Sequence, residues 1–136
     1  MAESLAHSDF VIAIVKWIEI NCHKNDYAFI KYDHPKNVSN DRPPNICGFV
    51  PDVYVDFERI IIGEAKTLND FERPHSIEQY LSYLNFINNK KDALIIFAAP
   101  FIVVPRFRTV IDDLIYKYKI NLDNKPIYIQ NLVEIK

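Results

Sequence analysis

Pro51-Asp52-Val53-Tyr54-Val55-Asp56-Phe57-Glu58-Arg59-Ile60-Ile61-Ile62-Gly63-Glu64-Ala65-Lys66 consists of two β-branched and aromatic runs joined by a short polar turn, Phe57-Glu58-Arg59. Runs of that composition favour strands, and the turn between them makes a hairpin. Asp52 and Glu64 are equally far from Glu58 in sequence. Pairing about Glu58 therefore puts the two carboxylates nearly opposite each other on adjacent strands, with Cβ atoms roughly 5 Å apart. Like charges so placed repel, and one carboxylate is pushed toward its neutral form. A divalent cation between them removes the conflict. Lys66 is two residues past Glu64 and leans to the same face. Two carboxylates beside an ammonium are the equipment for metal-assisted attack of water on a phosphodiester.

Outward from this hairpin, the sequence describes a covered sheet. Val53, Val55 and Phe57 point one way and Tyr54 the other, while Ile60-Ile61-Ile62 leaves no polar side. Strands apolar on both faces are central and flanked by helices. Upstream, about Ser4 to Asn21 reads as a helix, with Leu5, Val11, Ile14, Val15 and Ile18 at helical spacing and Trp17 and Ile20 widening the apolar face. Lys16 and Glu19 take the opposite side, and Glu3 and His7 lie in line with the apolar stripe. Tyr27 to Tyr32 reads as a strand. Asp33 to Asn45 holds His34-Pro35, Asn37, Asn40, Asp41 and Pro43-Pro44, which is loop composition. A loop of this length inside a compact domain is usually functional.

Downstream, Pro74 begins a helix of about His75 to Asn88, with Ile77, Leu81, Leu84 and Phe86 as its expected buried stripe. Gln79 and Tyr83 are four apart and share a second face. Ala93 to Ala99 is a wholly apolar strand, expected parallel to the strand before the helix. Pro105 to Tyr118 is a third helix with Val110, Ile111, Leu114 and Ile115 inward, and Pro126 to Ile129 a last, edge strand. The element order is α-β-β-β-α-β-α-β. The expected fold is α/β, one domain over residues 1–136, with no internal repeat.

Composition narrows the function classes. Of 136 residues, 49 % are apolar, enough for one real core. The net charge of −2 excludes a chain that is basic throughout, so any nucleic-acid contact has to come from local patches. The candidate patches are Lys24, Lys31, Lys36 and Arg42 in and beside the long loop, Lys90-Lys91, and Arg106 with Arg108. The two cysteines, Cys22 and Cys47, form no CxxC pair, which argues against a zinc site or an iron–sulfur cluster. The apolar run from Phe10 to Ile20 is too short and too charged to span a membrane. With no signal segment evident, a cytoplasmic location is expected.

The joint arrangement carries the specificity. Pro51-Asp52 opens one central strand, Glu64-Ala65-Lys66 closes its neighbour, a helix and a strand precede the hairpin, and Gln79 lies on the helix that follows. This resembles the PD-(D/E)xK nuclease superfamily, whose restriction-endonuclease-like core is αβββαβ, here with an added C-terminal helix and strand. Gln79-x-x-x-Tyr83 is similar to the QxxxY element of RecB-type and related members; Holliday-junction resolvases and VRR-NUC-type enzymes also often carry a glutamine there. The resemblance covers about Ser4 to Ala99. It implies a metal-dependent nuclease acting on DNA, of the restriction and defence type or the repair and junction type. Asp52, Glu64 and the Ala65 backbone carbonyl would bind Mg²⁺, with Mn²⁺ able to substitute. Lys66 would position or activate water, and Gln79 would orient Lys66, water or phosphate. Small size implies a homodimer or a subunit of a larger complex.

Some assignments stay open at this stage. Many superfamily members add an acidic residue from the first helix; here Glu3, His7, Asp9, Glu19 or nothing fills that place. His7 is expected as a capped or solvent-facing histidine, and Tyr83 as ordinary core packing. A catalytically silent binding or assembly module is the alternative to the nuclease, and a metal-dependent hydrolase of some other substrate is a third.

Overall fold

A computed structural model describes residues 5–24, 29–34, 37 and 41–132. It has helix α1 at Leu5–Asn21, strands β1 at Lys31–Tyr32, β2 at Val53–Asp56 and β3 at Ile60–Ala65, helix α2 at Pro74–Asn88, strand β4 at Ala93–Ala98, a 3₁₀ turn at Phe101–Val103, helix α3 at Val104–Tyr118 and strand β5 at Ile127–Gln130. The order is the one expected from sequence. The strands form one mixed sheet, in spatial order β1-β2-β3-β4-β5. β1 and β3 run antiparallel to β2, while β3, β4 and β5 are parallel. The expected parallel crossover through α2 and the edge position of β5 are both present. Of the expected strand over Tyr27 to Tyr32, residues 25–28 lie outside the described residues and the pairing covers Lys31–Tyr32. Glu3 and Lys36 also lie outside them.

The hairpin register follows from its symmetry. Val53 opposes Gly63, Val55 opposes Ile61 and Asp56 opposes Ile60, so the pairing is centred on Glu58. Carried one step further, it sets Asp52 across from Glu64. The turn Phe57-Glu58-Arg59 follows Asp56 at the far end.

Helices cover both faces because the strands have no polar side to show to water. On one face, α1 packs Phe10, Val11, Ile14, Trp17 and Ile18 onto Val53, Val55, Ile61, Leu94 and Ile96. On the other, α2 and α3 bring Tyr80, Tyr83, Leu84, Ile87, Phe107 and Ile111 onto Tyr54, Ile62, Ile95, Phe97 and Ile129. Gly63 sets the closeness of the first contact. A Cβ there would lie 2.6 Å from Ile14 Cγ2 and 3.0 Å from Val53 Cβ, so only glycine lets α1 approach β3 this far.

Several sequence expectations need correction. Ile20 is exposed, not part of the α1 stripe, because helical spacing sets it with Lys16 and Glu19 on the face away from the sheet. Phe57 does not join Val53 and Val55. It is exposed in the turn and packs on Phe29, ring centroids 5.1 Å apart. The buried face of α2 is Ser76, Gln79, Tyr80, Tyr83, Leu84 and Ile87, leaving Ile77, Leu81 and Phe86 half-buried at its margin. That rotation puts the two faces expected for α2 into one. In α3, Phe107 replaces Val110 and Ile115 in the fully buried set. Neither Cys22 nor Cys47 is in a disulfide.

Candidate active site

Period two along β3 alternates its side chains between the layers. Ile61, Gly63 and Ala65 face α1, while Ile60, Ile62, Glu64 and then Lys66 face α2. An acid and a base on a buried strand therefore point at the one helix that carries a glutamine inward. Asp52, Glu64, Lys66 and Gln79 are all buried at this strand end.

Lys66 Nζ donates to Gln79 Oε1 and lies 4.0 Å from Glu64 Oε2. The other end of the same amide, Gln79 Nε2, donates to Glu64 Oε1 at 3.2 Å and to Tyr83 Oη at 3.0 Å. Tyr83 Oη donates in turn to Glu64 Oε1 at 2.9 Å. Gln79 thus spaces the acid from the base, and the α-helical spacing of residues 79 and 83 supplies both contacts from one face. Tyr83 is part of this network and not ordinary core packing. Its place four residues after Gln79 was the signal available in sequence.

Asp52 is held differently. Its Oδ2 accepts from the Ala65 backbone N–H at 2.8 Å and approaches His7 Nε2 to 3.2 Å. His7 is therefore neither a helix cap nor a solvent-facing residue. It projects from α1 to the carboxylate, as its alignment with Val11, Ile14 and Ile18 would have allowed one to see. Asp9 and Glu19 are exposed and take no part in this cluster. Ala65 turns its N–H toward Asp52, and an extended residue sends N–H and C=O to the same side. On the hairpin register its partner is Pro51, which has no N–H to give to that carbonyl.

The electrostatics follow from burial. Glu64 is pushed well above the ordinary carboxylate range, first by desolvation and then by the Asp52 charge; Lys66 and the Tyr83 hydroxyl oppose this only in part. Burial also pushes Asp52 up. Hydrogen bonds with His7 and Glu64, the His7 charge and the Ala65 N–H outweigh it and hold Asp52 below that range. Two adjacent carboxyls thus divide their roles, one keeping a proton and the other ionised. Tyr83 is raised by burial and by Glu64, so it stays a donor.

One atom each from His7, Asp52 and Glu64 lies within 4.8 Å of the others. Ligands at about 2.1 Å around a six-coordinate Mg²⁺ are separated by about 3 Å to 4 Å, so a small contraction would seat an ion among them. Two carboxylates and a carbonyl are the hard oxygen donors that Mg²⁺ takes; an imidazole fits Mn²⁺ better than Mg²⁺.

The basic residues divide between the two ends of the sheet. Asp33 N–H donates to the Asp52 carbonyl at 3.0 Å, so the long loop with Arg42 leaves the sheet at the site end. Arg106 is at this end too, bonded to Glu72 at 2.8 Å. Lys90 and Lys91 lie at the opposite end, beside the hairpin turn. Among the described residues no helix is long and apolar enough to cross a membrane. No protein-family model matches the chain, and neither a curated protein nor a solved structure does.

Proposed function

We propose that the chain is a metal-dependent nuclease of the PD-(D/E)xK type, hydrolysing DNA phosphodiester bonds at the Asp52–Glu64–Lys66 strand end. The observation that carries this reading is the convergence of an acid pair, a lysine and a glutamine on one buried strand end. Burying two carboxylates and an ammonium is costly unless they are paired or bind a metal. A core built only for stability has no need of them. The α-β-β-β-α-β order supports the restriction-endonuclease-like assignment of the fold.

In this reading Asp52, Glu64 and the Ala65 carbonyl hold Mg²⁺ or Mn²⁺, and His7 is the third side-chain donor, in the place where related enzymes often have an acid. When bound, the ion lowers the pKa of a coordinated water and polarises the phosphoryl oxygen. The protein's own groups do the rest. The Ala65 N–H fixes the Asp52 carboxylate, while His7, here bonded to Asp52, would turn a deprotonated nitrogen to the ion. Gln79 and Tyr83 fix Glu64, which would give up its proton to solvent on holding the ion, because ligation needs the carboxylate. Lys66, aimed by Gln79, donates to the attacking water or to a phosphate oxygen and offsets the charge that builds up in the transition state.

The test is cleavage of plasmid, linear and branched DNA with Mg²⁺, with Mn²⁺ and with EDTA, beside a Glu64→Ala control. Cleavage dependent on the ion and lost in the variant is expected. Cleavage that persists in EDTA or in Glu64→Ala would sink the mechanism, and no cleavage of any substrate would favour a silent binding module.

A further inference from the structure

The carboxyl ends of β3 and β4 lie side by side. Ala65 opposes Ala98, and Lys66 N–H donates to the Ala98 carbonyl at 2.9 Å. Beyond them the chain turns outward twice. The first turn exposes Leu68 by 56 %; the second exposes Phe101 by 78 % and Ile102 by 77 %. The two turns are tied together at their bases, where Phe71 stacks on Phe107 at 5.7 Å and Arg106 bonds Glu72. Phe101 and Ile102 begin the 3₁₀ turn between Pro100 and Pro105, closed by Val103 N–H to the Pro100 carbonyl at 3.0 Å. Val103 and Phe107 behind them are buried. Two large apolar side chains are thus held outward on a firm base.

Chain geometry bounds their distance from the site. Three residues from Ala98 to Phe101 span at most about 11 Å. Adjacent strands are about 5 Å apart. Phe101 is therefore within about 16 Å of Lys66, or about five nucleotides at 3.4 Å each.

The neighbouring site chooses the partner. From Ala99 to Ile111 the chain has Arg108, no acid, and Arg106, which Glu72 neutralises. The α3 N-terminus there has neither an acidic first turn nor a side-chain cap, so it adds positive potential. The surface suits a partner that is anionic and offers flat apolar faces. Nucleic acid with unstacked bases does both. A continuous duplex hides its base faces.

We propose that Phe101 and Ile102 form an apolar wedge for unpaired bases beside the scissile phosphate, so that the site acts on single-stranded or branched DNA in preference to continuous duplex. This rests on the nuclease reading above. Fluorescence anisotropy in EDTA, where binding is separated from cleavage, compares a flapped DNA, a single strand and a duplex. The wild-type chain is expected to bind the flap at least about tenfold more tightly than duplex. Phe101→Ala should lose most of that preference, within the roughly 5- to 150-fold that one base–aromatic stack supplies, and Phe101→Trp should keep it. An unchanged preference in Phe101→Ala, or none in the wild type, would overturn the wedge. So would sedimentation showing a wild-type dimer that Phe101→Ala/Ile102→Ala converts to monomer. A parallel Mg²⁺ arm separates the two ideas: cleavage without preference defeats the wedge alone, and preference without cleavage defeats the nuclease alone.

Discussion

Glu64→Gln is the most informative single change, because it removes a charge and keeps the shape. The side-chain oxygen can still accept from Gln79 and Tyr83, which now meet Glu64 Oε1 at 3.2 Å and 2.9 Å. The new amide can donate to Asp52 as the protonated acid does. Two opposing Coulomb interactions act on an ionised Glu64. At an effective dielectric of about 20, Asp52 at no more than 4.8 Å repels it by about 3.5 kcal/mol or more. Lys66 at 4.0 Å attracts it by about 4 kcal/mol. These nearly cancel, so desolvation decides, at several kcal/mol per buried ion, here taken as about 3 kcal/mol.

The sign follows. Glu64 is raised above 4.5 in the folded chain, so the folded state holds its proton more tightly than the unfolded state. The stability this gives is complete below about pH 4.5 and is lost as pH rises through the folded-state value. In EDTA, Glu64→Gln and wild type should melt together near pH 4, and the variant should pull ahead as pH rises, by up to about 3 kcal/mol. At about 2.1 cal/mol/K per residue, 136 residues give about 10 °C. A cation at 100 times its Kd should then stabilise wild type by about 2.7 kcal/mol and the variant far less. Thermal melts across pH 4 to 9, with and without Mn²⁺, decide it. Parallel pH profiles, or equal metal stabilisation of both proteins, would refute the assignment of Glu64.

Lys66→Met should leave metal-induced stabilisation intact while lowering single-turnover cleavage by at least about 100-fold, since it removes charge felt mainly in the transition state. Tyr83→Phe should cost about 1–3 kcal/mol in urea unfolding and slow cleavage without abolishing it, because Gln79 still reaches Glu64. His7→Ala should weaken Mn²⁺ binding by at least about tenfold in calorimetry, with a smaller effect on Mg²⁺. Gly63→Ala should destabilise by about 1–3 kcal/mol, as its Cβ meets Ile14 Cγ2 at 2.6 Å, and should weaken metal binding by displacing α1 and with it His7.

The hairpin shows how much of the site was legible without coordinates. Its register needed only the symmetry of Asp52 and Glu64 about Glu58, because a one-residue slip would put Glu64 on the opposite layer from Asp52. The alternation that faces Glu64 and Lys66 together is likewise local. Gln79 and Tyr83 were visible as a pair, but whether that pair faced water or the sheet was not. Ile77, Leu81 and Phe86 offered α2 a competing apolar stripe beside Leu84, and packing against Phe97 and Phe107 chose the face with Tyr80 and Ile87 instead.

By itself, then, the sequence determined the element order, the hairpin register and the carboxylate pair beside a lysine, since all of these rest on periodicity and spacing along one segment. Only the tertiary structure decided which face of α2 turns inward and that His7 reaches Asp52 across more than 40 residues of chain. Those contacts depend on how closely α1 approaches β3, which is set by the missing side chain of Gly63 and by the volumes on the other side of the gap. Close packing between distant segments is a property of the assembled core, and no period within one segment encodes it.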